Sequence, residues 1–201
     1  MRIKADRRLG AVMFTDVVDF TKLMSLDETR ALKTLQKKNS IVQSQVAHYS
    51  GQYIKSIGDG SLSFFDSAKE AVDCAISIQN SLKSEIIVRI GVHLGEIVHK
   101  DGDIFGDSVN IANRIEKISK PGGICISGLI FDQLENKKGY QFKHLGLHSF
   151  KGVGRLLDIY GLEMSEKEII PHDSFDIIGL DASKDLPSLS IIPFRNKGKE
   201  E

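Results

Sequence analysis

Apolar positions along the first half of the chain follow two alternating periods. Residues 9–14 form a short apolar run that ends at Thr15 and Asp16, which predicts a buried strand running into a loop. From residue 26 to about residue 49 the period lengthens, with Leu32, Leu35, Ile41, Val42 and Val46 recurring at three- and four-residue steps. Asp27 stands where an N-cap belongs and Gly51 where the helix should stop. Residues 53–57 and 61–65 predict two strands joined through Gly58-Asp59-Gly60, whose glycines permit the positive φ of a tight hairpin. Residues 67–82 carry Ala68, Ala71, Val72, Ala75, Ile76 and Ile78 on or near one helical face, and residues 86–92 read as the next strand. The resulting order, βαββαβ, is the split βαβ unit of ferredoxin-like folds, so the predicted class is α+β, an α/β sandwich.

The second half adds to this core. In GDSVNIANRIEKIS the residues Val109, Ala112, Ile115 and Ile118 share a helical face, and Pro121-Gly122-Gly123 ends the helix. Residues 123–127 predict a strand and 128–134 a short helix. Residues 140–150 and 156–162 predict an antiparallel pair around the turn at 151–154, a C-terminal strand–helix–β-hairpin subdomain. Beyond Met164 the periodicity stops, and that stretch holds three of the four prolines. The expected organisation is an N-terminal stub at 1–8, one domain at 9–164, and a linker or extension at 165–201.

Composition narrows the function classes. The 201 residues are 41% hydrophobic and 27% charged, with 27 basic against 27 acidic side chains, an ordinary globular balance without the basic excess of a nucleic-acid coat or a polybasic membrane module. Cys74 and Cys125 are too few for a disulfide framework or a four-thiolate zinc site, which favours a reducing compartment. No apolar run approaches the roughly 18 residues of a membrane span, and the basic start reaches Asp16 too soon for a secretory signal, so a cytoplasmic location is expected. Eight acidic and five basic residues fall after Met164, so the neutral total combines an acidic tail with a mildly basic domain.

Two aspartates stand where chemistry could sit. In a ferredoxin-like sheet the first and third strands are central neighbours, so Asp16 at the end of one and Asp59 before the other should converge. Converging carboxylates without cysteine or histidine partners suit a hard, oxygen-preferring cation such as Mg²⁺ or Mn²⁺. Taken separately, the two residues read equally well as a turn cap and a hairpin filler. The six histidines show no metal-ligand spacing, and His93 reads as a packed or edge residue rather than a base.

Five motifs in fixed order lend weight to the first reading: FTDVVDFT at 14–21, KSIGDG at 55–60, RIGVHLGE at 89–96, GDIFGDSVNIANRIE at 102–116 and FKGVG at 150–154. Together, over about residues 9–162, they closely resemble the class III nucleotidyl cyclases, the family of adenylate and guanylate cyclases. The resemblance implies that Asp16 and Asp59 bind two divalent metal ions, Mg²⁺ or Mn²⁺, with the backbone carbonyl of Val17 a further ligand. It places Phe20 and Thr21 in the segment that wraps the triphosphate, and it marks Asp19 as a departure, since glycine is more frequent there. Lys55 and Asp103 match the adenine-reading pair: the lysine donates to a ring nitrogen and the carboxylate accepts from the exocyclic amino group, where guanine would present a repelling oxygen. Asn110 and Arg114, one helical turn apart, match the ribose-orienting and transition-state-stabilising pair. Arg89 and Lys151 match the cations that hold the β- and γ-phosphates, although Arg89 also reads as a structural ion-pair partner and Arg114 as a partner of Glu116 or Asp107.

The resemblance further implies sites shared between two domains, one giving Asp16, Asp59 and Arg89 and the other Lys55, Asp103, Asn110, Arg114 and Lys151. One chain carries both sets, so a head-to-tail homodimer acting on ATP is expected. The expected product is 3′,5′-cyclic AMP, with guanylate cyclase activity or a catalytically silent regulatory module as alternatives. No nucleic-acid partner and no membrane segment are expected, and regulatory domains are expected outside this chain. LPSLSIIPFRNKGKEE resembles the first strand of a domain that follows cyclase domains in some longer bacterial proteins.

Overall fold

The computed structural model describes residues 6–82 and 85–163, so the expectations for 165–201 lie outside the described residues. The elements run β1 (Asp6–Val17), α1 (Phe20–Leu26), α2 (Glu28–His48), β2 (Gln52–Ile57), β3 (Gly60–Phe65), α3 (Ala68–Leu82), β4 (Val88–Lys100), β5 (Asp103–Phe105), α4 (Asp107–Ile118), β6 (Ile124–Ser127), α5 (Gly128–Leu134), β7 (Phe142–His148) and β8 (Leu157–Leu162). The strands form one sheet in the order β2-β3-β1-β4-β6-β8-β7, with β5 paired to β4. The βαββαβ core is present with β1 between β3 and β4, as the periodicity predicted. The C-terminal strand–helix–hairpin continues the same sheet, because β6 pairs parallel with β4 and antiparallel with β8.

Alternation along the strands divides the interior in two. Ala11, Met13, Phe65, Val88, Ile90, Val92 and Ile126 face a helix layer that contributes Val42 and Val46 of α2, residues 71–78 of α3, and Ile130 and Leu134 of α5. Val12, Phe14, Leu62 and Phe64 point the other way and are met there by Ala112 of α4, while Ile111 and Ile115 of α4 pack with Cys125, Leu157 and Ile159. Burying each such Val, Ile or Leu contributes about 1.5–3 kcal/mol. Helix α4 lies directly on β4 because two glycines let it. A Cβ at Gly91 would stand 2.2 Å from the Glu116 nitrogen, and one at Gly95 would stand 2.3 Å from the Ser108 hydroxyl.

Four features depart from the sequence expectation, one of them β4, which runs to Lys100 where the pattern predicts a strand over residues 86–92. Strand β1 begins at Asp6, so residues 6–8 belong to the sheet instead of a stub: Asp6 pairs with His99 and Arg8 with Ile97 in an exposed ribbon. Helix α1 has no counterpart in the periodicity; its seven residues include no buried side chain, so no apolar period marks it. Strand β5 is three residues long, below the length at which alternation can be read. Helix α2, by contrast, starts where predicted, with the Asp27 side chain accepting from the Arg30 amide at 2.9 Å.

Candidate active site

The end of β1 brings the first group of residues together. Thr15 lies opposite Ser61 in the β1–β3 register, which sets the hairpin carrying Asp59 beside Asp16. Gly58 takes φ 61°, a value that L side chains resist, and so lets a two-residue turn present Asp59 there. That placement brings Asp59 close enough for its charge to act on the Asp16 carboxyl. Burial, then the charge and hydrogen bond of Asp59, push the Asp16 carboxyl above its ordinary value, with Arg89 opposing. Arg89 is the β4 residue facing Asp16 in register, and its guanidinium donates to Asp16 Oδ2 at 3.3 Å. Its Nε lies 3.2 Å from Oε1 of Glu116, a buried α4 side chain. Burial, then the Asp16 charge, raise Glu116 to about 7, again against Arg89.

A second cation approaches from the helix layer. Lys38 of α2 is fully buried and donates to the Asp59 carbonyl oxygen at 2.9 Å and to the Ser61 hydroxyl at 3.2 Å. The Ser61 and Thr15 hydroxyls are 2.5 Å apart. Burial lowers the Lys38 ammonium to about 8, while the charges of Asp16 and Asp59 pull it back up. Sequence reasoning missed Lys38 and offered Glu116 only as an ion-pair partner of Arg114, whereas it pairs with Arg89. The signal was available: each is a charged residue inside an apolar stripe, Lys38 between Ala31, Leu35, Val42 and Val46, and Glu116 one turn after Ala112.

These residues fit a divalent cation. Two neighbouring carboxyl groups form a concentration of negative charge that a cation would neutralise, and the side-chain donors are oxygen, which suits Mg²⁺ or Mn²⁺. No group of three or more His, Cys, Asp and Glu side chains with metal-binding geometry occurs among the described residues. Any further ligands to a cation held there would be backbone carbonyl groups, water and substrate oxygens.

A second group of residues is assembled separately. Lys55 of β2 forms an ion pair with Asp103 of β5, although 48 residues separate them. Asp103 also accepts from the Ile104 amide at 2.8 Å, and the Lys55 hydrogen bond, above all, holds its carboxyl below the usual range. On α4, Asn110 is exposed and Arg114 half-buried. Arg114 makes no ion pair among the described residues, and Glu116 is taken by Arg89 instead. Lys151 stands exposed in the β7–β8 turn. In the sheet the β7–β8 hairpin is separated from β1 by β4 and β6, and Lys151 lies in the connection after the His148–Leu157 pair. Lys151 forms no ion pair with Asp16 or Asp59 among the described residues.

Phe20 and Thr21 open α1, whose first intrahelical bond runs from the Leu23 amide to the Asp19 carbonyl at 3.0 Å, so the preceding amides have no helical acceptor. Asp19 is exposed, sits at φ 57°, and makes no side-chain capping bond. His93 is buried and lowered to about 4 by burial and then by the Arg155 charge, hence neutral and packed.

Comparison with known proteins settles the family. Residues 8–164 match the model of the adenylate and guanylate cyclase catalytic domain. The chain belongs to that family. The cyclase domain is 34% identical to an adenylate/guanylate cyclase/hydrolase from Silicibacter pomeroyi, with a TM-score of 0.75 over 81% of this chain and all of that one. The adenylyl cyclase CyaB of P. aeruginosa, at 22% identity and a TM-score of 0.74, covers 83% of this chain and all of its own and shares the fold. A protein of Rhizobium meliloti (strain 1021), provisionally named adenylate cyclase 3, is 32% identical over 203 residues, which is 94% of this chain. The cyclase domain spans only about a third of that relative, 34% of its length. Among the described residues no helix is long and apolar enough to cross a membrane.

Proposed function

We propose that this chain is an adenylate cyclase that converts ATP to 3′,5′-cyclic AMP and pyrophosphate at two equivalent sites shared across a head-to-tail homodimer. The observation that carries the reading is the meeting of Asp16 and Asp59, 43 positions apart in sequence, in a domain of the cyclase family. In the reaction the ribose 3′-oxygen forms a bond to the α-phosphorus as the bond to the bridging oxygen breaks. The 3′-hydroxyl proton leaves to a carboxylate of the pair or to water. Two divalent cations, Mg²⁺ or Mn²⁺, held by Asp16, Asp59 and the Val17 carbonyl, would supply Lewis-acid activation of the 3′-oxygen and charge neutralisation on the phosphates.

The chain's own groups do the positioning. Amides at Phe20 and Thr21 face the triphosphate at a helix start, and Arg89 of the same chain, with the partner's Lys151, holds its β- and γ-phosphates. The partner's Lys55 and Asp103 read adenine, their mutual ion pair opening to accept the base edge. The partner's Asn110 orients the ribose, and the partner's Arg114 stabilises the charge that builds on the α-phosphate. The position of Lys151 on the β7–β8 hairpin, with β4 and β6 between it and β1, supports the division of labour between two chains. Adenylate selectivity over guanylate rests on Lys55 and Asp103, whose donor and acceptor match adenine.

The experiment is complementation. Asp16→Ala and Arg114→Ala are each expected to be inactive with Mn²⁺ and ATP. Mixed, half of the dimers carry one intact site, so activity should return to about a quarter of wild type, with cyclic AMP as product. No recovery on mixing would overturn the shared site, and cyclic GMP as the preferred product would overturn the adenylate assignment.

A further inference from the structure

We propose that Lys38 is a positioning residue of the carboxylate site: its ammonium group ties the hairpin carrying Asp59 to the strand carrying Asp16, and so sets the separation of the two carboxylates before cation or nucleotide arrives. What the site is used for rests on the adenylate cyclase reading; the geometry does not.

Lysine is among the side chains least often fully buried, because removing an ammonium from water is costly unless hydrogen bonds replace the lost hydration. Lys38 is completely buried in the apolar stripe of α2. A methionine or leucine would fill the same space without that cost, so packing alone does not account for it. Its hydrogen bonds do. One goes to the Asp59 carbonyl, a backbone group at the tip of a two-residue turn, where the nearest ladder pair is Ile57–Gly60. The other goes to Ser61, whose hydroxyl meets that of Thr15, the residue immediately before Asp16. Helix α2, the hairpin and β1 are thereby joined within a few side chains of both carboxylates. Because Lys38 binds the Asp59 carbonyl and not its carboxylate, the carboxylate stays available to Asp16 and to a cation. The positive charge also offsets the like-charge repulsion of the pair, as the upward pull of Asp16 and Asp59 on the ammonium indicates.

Lys38→Met nearly preserves volume and removes the donors. In metal-free protein, amide exchange at residues 57–61 should become at least about tenfold faster, as expected for losing hydrogen bonds from a charged donor, while β6 and β8 are unchanged. The ratio of Mn²⁺-supported to Mg²⁺-supported kcat should rise about fivefold, because Mg²⁺ demands near-ideal octahedral geometry and suffers most when its carboxylates drift. A general loss of folded protein, or the removal of one positive charge, acts on both ions alike and leaves the ratio fixed. Ser61→Ala, which keeps the charge but cuts the link to Thr15, should move both readouts the same way by less, and it carries the test if the methionine variant does not fold. Hairpin exchange that merely tracks β6 and β8 would overturn the proposal, as would an unchanged metal ratio in an active variant. If the wild-type protein makes no cyclic nucleotide with either ion, the adenylate cyclase reading fails while the exchange measurement still decides the role of Lys38.

Discussion

The two groups of candidate residues are built in opposite ways. Around Asp16 and Asp59 the chain supplies its own counter-charges: Arg89 bridges Asp16 and the buried Glu116 on the α4 side, and Lys38 closes the hairpin from the helix layer. The other group is open. Lys55 and Asp103 pair with each other at a part-exposed position, and Asn110 and Lys151 are exposed. Buried charge must be balanced inside the fold, whereas exposed charge is solvated and can wait for a ligand. One end is assembled by folding, whereas the other presents solvated groups, which is what the proposed shared site asks of the partner's half.

The largest effect should come from breaking the prebuilt half. Asp59→Asn should lower kcat with Mn²⁺ and ATP by about 10²–10³-fold, a loss of the size seen when one preorganised charge-stabilising group is removed. Thermal melting should stay the same or rise, because a like charge beside Asp16 disappears while the backbone carbonyl that holds Lys38 remains. An unchanged rate would sink the two-metal account.

Breaking the open half should change selectivity and leave stability alone. Asp103→Ala should cut kcat/KM for ATP by about 10–100-fold and for GTP by much less, since an acceptor for the adenine amino group is lost and a repulsion toward guanine O6 is removed. Parallel initial rates with the two nucleotides check this, with a melting curve expected to overlay that of the wild type because the Lys55 pair is partly solvated. Equal losses for both nucleotides would mean that Asp103 does not read the base.

The smallest effect sharpens the contrast through pH. Glu116 is raised to about 7 in the folded chain, and Asp16 is raised in the same direction. The folded state therefore holds protons that the unfolded chain releases near pH 4.5, so the contribution of Glu116 to stability is full below that pH and is lost as pH rises to about 7. The loss for Glu116 is at most about 3 kcal/mol. Urea unfolding in chelator across this window should show the decline, and Glu116→Gln should flatten it. Lys55→Gln, at the open end, should leave the slope as it is.

The core was legible in the sequence wherever an apolar period is long. Helices α2, α3 and α4 each bury a stripe that repeats over at least three turns, the middle of β1 is a continuous apolar run, and β3 alternates Ser61 and Ser63 with Leu62 and Phe64. The polar ends of β1 and β4, the three residues of β5 and the unburied α1 could not be read, because tertiary pairing and not local pattern makes them. At the site, the motif residues stood out by spacing and resemblance. Lys38 and Glu116 did not, since a charge inside an apolar stripe looks like a lapse of pattern until the partners that compensate it are seen.

The sequence alone sets the elements and the types of side chain on offer, a βαββαβ core and two aspartates at strand ends, while the match of Lys55 and Asp103 to adenine is what the family resemblance implies. Period and residue type are local properties, and they survive without coordinates. What only the tertiary structure decided is who meets whom. The β1–β3 register brings Asp59 to Asp16, two glycines let α4 set Glu116 against Arg89, and the sheet order sets β4 and β6 between β1 and the hairpin that carries Lys151. Charge becomes costly or useful only where burial and distance are fixed, and those are properties of the folded chain.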